Sequence, residues 1–414
     1  VISDPTLPAA PHLFGEWARH LLAQGLGELG GRVGDVRLVQ VAYRPHRELV
    51  ARYATTVAWG GSAPVTETIL AGTTVRGAPE GTVPLVADDL TVGMWRWPFD
   101  PALPGLGAAV TPSRAAALVG PLVGGVPALR VRAYRPTRRA VVHATGPAGE
   151  AYLKVLRPGR VADFVARHAA LAGRIPVPEV LATDEELGIV ALRALPGASL
   201  RSRLLAGDGR AADPDRLLAL LDELATTPLP AGTRPATSPR ATAFGHAGLL
   251  ERVLPDASGR LAALTDRLEP APEQGGTHVH GDLHDAQLTV VDSAIVGVLD
   301  LDGAGPGHRV DDLGNLLAHL STMALGARRA RPTLDATVSR LWTGFGTVVD
   351  PDQLARATAA AVVGLATGPF AAQQRSWKVA TRRRLALAAR WLRRADGAGA
   401  ARPAADEGDL RVAS

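Results

Sequence analysis

Residues 280–287 read His-Gly-Asp-Leu-His-Asp-Ala-Gln, and residues 298–303 read Val-Leu-Asp-Leu-Asp-Gly. Between them, Leu288-Thr-Val-Val, a turn at Asp292-Ser293 and Ala294-Ile-Val-Gly-Val-Leu spell a short hairpin. A loop that ends in an amide, a hairpin, and a carboxylate at the end of the returning strand make one compact set. Such a set can orient a hydroxyl and hold magnesium beside a nucleoside triphosphate. The leading chemistry is therefore phosphoryl transfer.

Asp282 is the first candidate. Its carboxylate can align an acceptor hydroxyl and take the proton as the bond to phosphorus forms, and Gly281 leaves the backbone free to turn. Gln287 and Asp300 offer amide and carboxylate oxygens, the hard donors that magnesium prefers. Asp302 shares a face with Asp300 if the strand continues, because side chains alternate with period two. Asp300 ranks above Asp302. His280 is expected to brace the loop through backbone hydrogen bonds. A rival reading takes His278-x-His280-x-Asp282 as zinc ligands of a metallohydrolase. It leaves Gln287, the second hairpin strand and Lys154 without roles. Lys154 and Lys378 are the only lysines, and Lys154 sits in the strand-like Ala151-Tyr-Leu-Lys-Val155. An inward ammonium there would seek anions such as nucleotide phosphates. The plain alternative is an edge-strand lysine facing solvent.

The positioning elements follow from periodicity. Residues 12–32 predict a helix with Leu13, Trp17, Leu21 and Leu22 on one face. Strands are predicted at 36–41, 48–58 and 65–71. Trp95, Trp97 and Phe99 alternate and read as packing residues. Thr111 and Pro112 open a short helix reaching Val119. An internal repeat joins two regions: Tyr43-Arg-Pro-His-Arg47 is echoed by Tyr134-Arg-Pro-Thr-Arg138, each before an apolar strand. Only the second copy continues to the lysine strand; the first has Val65-Thr-Glu-Thr-Ile-Leu there. Residues 129–195 predict strands at 180–183 and 188–193 and a helix over 160–171. Helices are predicted at 214–225, 246–265, 311–325, 333–345, 351–366 and 375–394. Residues 226–240 read as an exposed loop, and the tail after Arg394 as loose.

Composition bounds the class. The 414 residues suggest two or three domains, and 46% apolar residues suffice for real cores. With no cysteine, disulfides, thiol catalysis and thiolate zinc sites are excluded. The isoelectric point near 10.1 suggests nucleic acid, yet the formal charge is only +5. The Arg382-Arg-Arg384 run fits a solvated helix face, so no nucleic-acid partner is expected. Val119–Leu129 is broken by prolines and glycines, and Ala359–Ala366 is far below the roughly 20 residues of a membrane span. No signal peptide is evident, so a cytoplasmic protein without membrane partners is expected.

With these residues in view, the chain resembles the aminoglycoside phosphotransferase and choline-kinase-like branch of the protein-kinase-like fold. His280–Gln287 is similar to that family's catalytic loop. The resemblance implies Asp282 as catalytic aspartate, Gln287 at the metal-binding asparagine position and Asp300 as the second metal residue. Asp312-Leu-Gly-Asn315 resembles the buried segment that supports the loop, and Lys154 the phosphate-binding lysine. Leu192, Arg193 and Leu195 fall in the implied hinge that meets adenine. No glycine-rich loop is present; the corresponding turn is Arg135-Pro-Thr-Arg138-Arg139, whose arginines are assigned to phosphate. The helix 160–171 lacks the usual glutamate partner of the lysine, and Asp163 is the favoured substitute over His168.

The resemblance covers about residues 125–394. The front of the chain resembles, more faintly, the N-terminal cap of bacterial maltokinases and actinobacterial glucosamine kinases. The expected architecture is α+β: a cap at 1–124, a nucleotide-binding lobe at 125–195, a helical lobe at 196–394 and a tail at 395–414. The expected activity uses ATP and magnesium to phosphorylate a hydroxyl of a sugar, amino sugar or aminoglycoside. The protein is expected to act as a monomer or weak homodimer. A kinase-like binding protein without turnover is the other alternative.

Overall fold

The structure, a computed structural model, describes residues 2–87, 90–268 and 276–400. Alternating apolar residues build two antiparallel sheets in the first half. Helix α1 (Gly15–Glu28) precedes β1 (Gly31–Arg44), β2 (Glu48–Trp59), β3 (Val65–Thr74), β4 (Val83–Ala87) and β5 (Leu90–Arg96). The predicted helix at 12–32 is shorter at both ends, because residues 10–13 form a 3-10 turn and Gly31 already opens β1. Strands β4 and β5 were not expected, because Pro84 and Gly93 interrupt their apolar alternation.

Two helices, α2 (Leu106–Ala109) and α3 (Pro112–Val123), lead to the second sheet. Thr111 stands before α3, but its hydroxyl donates to the Gly107 carbonyl at 2.7 Å and makes no cap. The second sheet holds β6 (Ala128–Arg135), β7 (Arg139–Gly146), β8 (Gly149–Leu156), β9 (Val180–Asp184) and β10 (Ile189–Arg193). Helix α4 (Val161–Leu171) lies between β8 and β9. The sheet orders are β1-β2-β3-β5-β4 and β6-β7-β8-β10-β9, the same strand for strand.

The repeat runs deeper than the Tyr-Arg-Pro turn. Asp4-Pro-Thr-Leu-Pro8 is echoed by Asp100-Pro-Ala-Leu-Pro104. Buried Asp4 accepts from the Tyr43 hydroxyl at 2.8 Å and the His46 N–H at 2.9 Å. Buried Asp100 accepts from the Tyr134 hydroxyl at 2.7 Å and the Thr137 N–H at 2.9 Å. His46 and Thr137 hold the same left-handed turn, with φ of 62° and 59°. Register also finds the counterpart of Lys154. Lys154 pairs with Val141, whose equivalent Val50 pairs with Gly72. A Cβ at 72 would lie 3.2 Å from the Leu49 carbonyl, so the first sheet is tight there and its neighbours would have to give for any side chain. The lysine position is thus Gly72 rather than within Val65–Leu70.

The second half is mainly helical. It runs through β11 (Ala198–Ser199), α5 (Leu200–Leu205), α6 (Pro214–Thr226), α7 (Pro239–Val253) and α8 (Ser258–Thr265). Then come β12 (Thr277–Val279), β13 (Leu288–Val291), β14 (Ala294–Val298) and β15 (Gly305–Gly307). Helices α9 (Arg309–Ala324), α10 (Arg331–Phe345), α11 (Pro351–Leu365), α12 (Gly368–Ala371) and α13 (Trp377–Ala400) complete it. The single helix expected at 246–265 is two, because Pro255 interrupts it. In the β13–β14 hairpin, Asp292 and Ser293 have φ of 44° and 66°, the tight turn whose twist suits paired strands.

Leu313, Leu316, Leu317 and Leu320 of α9 join Leu354, Val362 and Val363 of α11 and Leu385 and Leu392 of α13 in one core. Each such leucine contributes about 1.5–3 kcal/mol on burial. The stretch Pro351–Ala371 is long and apolar enough to cross a membrane by composition, but 72% of its most apolar window is buried inside the protein. Helix α13 runs on to Ala400, past Arg394, so part of the expected loose tail is helical; residues 401–414 lie outside the described residues.

Asp100→Ala removes a buried acceptor and strands the Tyr134 hydroxyl and the backbone N–H groups of Thr137 and Ala102. The expected loss is about 2–4 kcal/mol of unfolding free energy in chemical denaturation, chiefly from the two buried donors, Tyr134 and Thr137. A variant within 0.5 kcal/mol, roughly the scatter of neutral surface changes, would show that the clamp does not hold the turn.

Candidate active site

The loop after β12 is shaped by a carboxylate beneath it. Asp312, in the first turn of α9, is buried and accepts the backbone N–H of His280 at 2.6 Å and of Gly281 at 2.9 Å. Burial pushes the Asp312 pKa up, while His280 and these backbone donors oppose the shift. Gly281 has φ of 79°, and a Cβ there would lie 2.5 Å from the Gly303 carbonyl. No other residue fits that approach without strain. The buried His280 ring lies 2.9 Å, through Nε2, from the Leu299 carbonyl, and its Nδ1 accepts the Asp282 N–H at 3.3 Å. That places the proton on Nε2 and ties the loop to the hairpin.

Asp282 projects beside this scaffold. The Asn315 amide donates to its Oδ1 at 3.4 Å and to the Leu283 carbonyl at 3.0 Å. Burial pushes the Asp282 pKa up; His280 opposes this, Asp300 adds to it, and Arg135 and Arg139 oppose it. A raised carboxylate is a stronger proton acceptor. Asp285, fully buried, is gripped by Arg201 through Nε at 2.5 Å and Nη2 at 3.2 Å. Sequence reasoning missed this pair, although Asp285 lies inside the motif.

Across the cleft, side chains alternate along β8, so Leu153 and Val155 join the core beneath α3 while Lys154 faces α4 and the helical lobe. Its Nζ lies 4.8 Å from the Phe164 ring centre and donates to Asp300 Oδ1 at 2.9 Å and Asp302 Oδ1 at 2.6 Å. Arg139 donates to Asp300 at 3.1 and 2.6 Å and to Asp302 Oδ2 at 3.0 Å. The Gln287 amide donates to Asp300 Oδ2 at 3.3 Å. Burial would raise the Asp300 pKa, but Lys154 and Arg139 hold it well below the usual carboxylate range. The strand stops at Val298; Asp300 takes a left-handed φ of 59° and residues 301–303 form a 3-10 turn. Asp300 and Asp302 therefore converge through a turn rather than through strand alternation. Arg167 of α4, also missed, donates to the Asp302 carbonyl at 2.8 Å.

Other expected positions fall elsewhere. Asp163 is exposed and lies 3.8 Å from Arg160, so it is not the partner of Lys154; the carboxylates of the opposite lobe take that place. His168 is buried and stacks on Phe164 at 4.0 Å, and burial pushes its pKa down to about 4. Arg138 is solvent-facing at the turn and is not among the groups bonded to Asp300 and Asp302. Burial of its surroundings, then Arg44, Arg135, Arg139 and Arg157, lower its pKa to about 10.

In the segment expected to form the hinge, Leu192 is buried, Arg193 pairs outward with Glu179 at 2.6 Å, and Leu195 packs toward the hairpin. A Cβ at Gly297 would lie 2.5 Å from Leu195 Cδ1, so glycine lets the hairpin approach this segment. The 226–240 loop is held against the site, with the Ala236 N–H donating to the Pro306 carbonyl at 2.9 Å.

The zinc set of the rival reading does not assemble. His278 turns away to the Thr227 carbonyl at 2.7 Å, and both His280 nitrogens are engaged, Nε2 with the Leu299 carbonyl and Nδ1 with the Asp282 N–H. Among the described residues, Asp282, His284 and His319 bring one donor atom each within 4.8 Å of one another. The two rings, however, are stacked at 4.3 Å and 9°, which sends their nitrogen lone pairs side by side rather than to one point. Burial lowers both histidine pKa values to about 3.

The sequence profile of the "Phosphotransferase enzyme family" matches residues 136–355, just over half of the chain. The chain belongs to this family. The bilobal protein-kinase-like α+β fold implied by the motifs is the fold of this phosphotransferase-family member. An "Uncharacterized protein" of Deinococcus radiodurans is 34% identical over 165 residues, covering 38% of this chain and 45% of that one. The match thus spans less than half of that relative's length.

Among solved structures, the aminoglycoside phosphotransferase APH(4)-Ia is 14% identical, with 68% of this chain and 99% of that one covered and a TM-score of 0.49. A choline/ethanolamine kinase family protein from Mesorhizobium loti is 18% identical, with 70% and 96% covered and a TM-score of 0.43.

Asp311, beside Asp312, makes stability depend on pH. Burial, then Asp312, raise its pKa from 3.8 to about 7, against Arg240. A carboxyl raised in the folded state favours folding while protonated. Its contribution is full below 3.8 and is lost as pH rises to about 7. Asp311→Asn is expected to flatten the fall of the melting temperature over that window. An unchanged pH profile would remove Asp311 as its source.

Proposed function

We propose that this protein is an ATP-dependent kinase that transfers the γ-phosphate to a hydroxyl of a small molecule. A sugar, amino sugar or aminoglycoside is the favoured acceptor class. One observation carries the reading: Lys154 of the sheet lobe meets Asp300 and Asp302 of the helical lobe at 2.9 and 2.6 Å, directly beside Asp282 and Gln287. Phosphoryl transfer needs little else from a protein than positioned charge.

In this reading Asp282 accepts the hydroxyl proton while the acceptor oxygen bonds to phosphorus. The bond from the γ-phosphorus to its bridging oxygen breaks, and ADP leaves. His280, Asp312 and Asn315 hold Asp282 in place through the loop. Lys154 draws on the nucleotide phosphates from β8, and the backbone of Leu192–Leu195 borders the base. Arg138 and its turn approach the phosphates from above.

The donor set suits magnesium, because the carboxylate of Asp300, the amide of Gln287 and the carboxylate of Asp302 are hard oxygen donors in one place. These residues would hold the ion, which supplies charge neutralisation across the phosphates. The first sheet, with Gly72 at the lysine register, takes no part in nucleotide binding.

A coupled ADP-release assay against glucosamine, glucose, maltose and an aminoglycoside panel tests the reading. Asp282→Ala is expected to lower turnover by at least about 10²-fold, a typical contribution of a positioned base, with ATP binding retained. Full activity in folded D282A would remove the assignment. Absence of ATP binding in the wild type would move the weight to a binding protein of another kind.

The metal residues are tested by calorimetry. Asp300→Ala should weaken Mg-ATP binding more than binding of ATP without metal. Gln287→Asn should retain activity if the amide oxygen is the working group. Equal Mg-ATP affinity in wild type and D300A would take Asp300 out of the metal site.

A further inference from the structure

Lys154 and Arg139 together engage all four carboxylate oxygens of Asp300 and Asp302. Lys154 takes one oxygen of each, and Arg139 takes both oxygens of Asp300 and the second oxygen of Asp302. Two positive charges thus already balance two negative ones. A divalent cation added to this group would bring the total to four positive charges against two negative. Entry of the cation at these oxygens is therefore favoured by movement of one resident positive group.

The two groups are not equally free. The Lys154 side chain is 7% exposed, lies against Phe164, and stems from a strand paired on both sides. The Arg139 side chain is 23% exposed and stems from the first residue of β7, directly after the left-handed turn at Thr137. The turn that carries Arg139 also carries Arg135 and Arg138, and Arg44 and Arg157 bear on the same place. Such a group of like charges gains from an anion. A guanidinium fork fits a phosphate as well as it fits a carboxylate.

We propose that Arg139 is a resident counter-cation that leaves Asp300 and Asp302 for the nucleotide triphosphate when a divalent cation binds. The proposal rests on the nucleotide reading above and adds a coupling to it. Metal binding would release the arginine, and the triphosphate would capture it. Each ligand would then strengthen the other by the same factor. Arg139 would be a positioning residue in the resting state and a phosphate ligand in the loaded state.

Manganese titration followed by paramagnetic resonance reads this without turnover. Free Mn²⁺ is counted for wild type, Arg139→Gln and Asp300→Asn, with and without ATP, after subtracting a protein-free ATP titration. R139Q is expected to bind Mn²⁺ alone about tenfold more tightly than wild type, within the usual range of coupling between sites. The gain in Mn²⁺ affinity on adding ATP should be about tenfold larger for wild type than for R139Q. D300N should bind poorly in both conditions.

Arg139→Lys keeps the charge but not the fork. It should fall between the two, and it carries the comparison if R139Q loses its circular dichroism signature. Equal Mn²⁺ affinity of wild type and the arginine variants, with D300N impaired, would overturn the role of Arg139 and leave the metal site standing. No Mn²⁺ binding by wild type even with ATP would overturn the proposal and the nucleotide reading together.

Discussion

The ion cluster of Lys154, Arg139, Asp300 and Asp302 is the interaction on which the rest of the architecture depends. Its cations come from the second sheet and its anions from the helical lobe. Burying charge is costly, and removing one partner from such a group costs about 3–5 kcal/mol because the other is left unpaired. The cluster therefore does more to fix where the lobes meet than to stabilise either lobe. Several local features serve it. Strand alternation aims Lys154 at the cleft, Phe164 of α4 covers the ammonium, and the left-handed turn at Asp300 brings two carboxylates to one point.

The loop of Asp282 depends on a second buried charge. Asp312 takes two consecutive backbone donors, which fixes the turn that Gly281 makes possible. His280 then bridges loop and hairpin with both ring nitrogens. The consequence is electrostatic. Asp282 sits half-buried near Asp300, and desolvation raises its pKa, although arginines of the opposite lobe lie near enough to oppose the shift. In the proposed kinase the same arginines would couple Asp282, through the turn at 135–139, to whatever neutralises the phosphates.

Much of this was legible in residues 280–303, where a loop, a hairpin and acidic residues occur at fixed spacing. Asp282, Gln287, Asp300 and Asp302 lie in one place, and the two hairpin strands meet at Asp292-Ser293, where the turn chemistry put them. What the sequence hid is long-range pairing. Asp163 looked suitable for Lys154 because it is the nearby polar residue of opposite charge, but α4 turns Asp163 to solvent and the true carboxylates lie 146 and 148 residues away. Arg139 read as a turn arginine, since nothing local marks a partner 161 residues on. Strands β4 and β5 were obscured by Pro84 and Gly93, although pairing of β5 with β3 and of β4 with β5 makes the register plain.

The duplicated sheets separate what a fold requires from what a site requires. Both copies keep the buried aspartate, the tyrosine hydroxyl and the left-handed turn, since losing any of them strands a buried donor or acceptor. Both keep the strand order. Only the second has a lysine at the cleft register and a helix after that strand; the first has Gly72, closed in by Leu49, Val50 and Trp95. A side chain at 72 would have to press these neighbours aside by a few tenths of an ångström before it could form a site. The aspartate clamp belongs to the fold and appears twice, whereas the ammonium belongs to the cleft and appears once, where Asp300 and Asp302 can neutralise it.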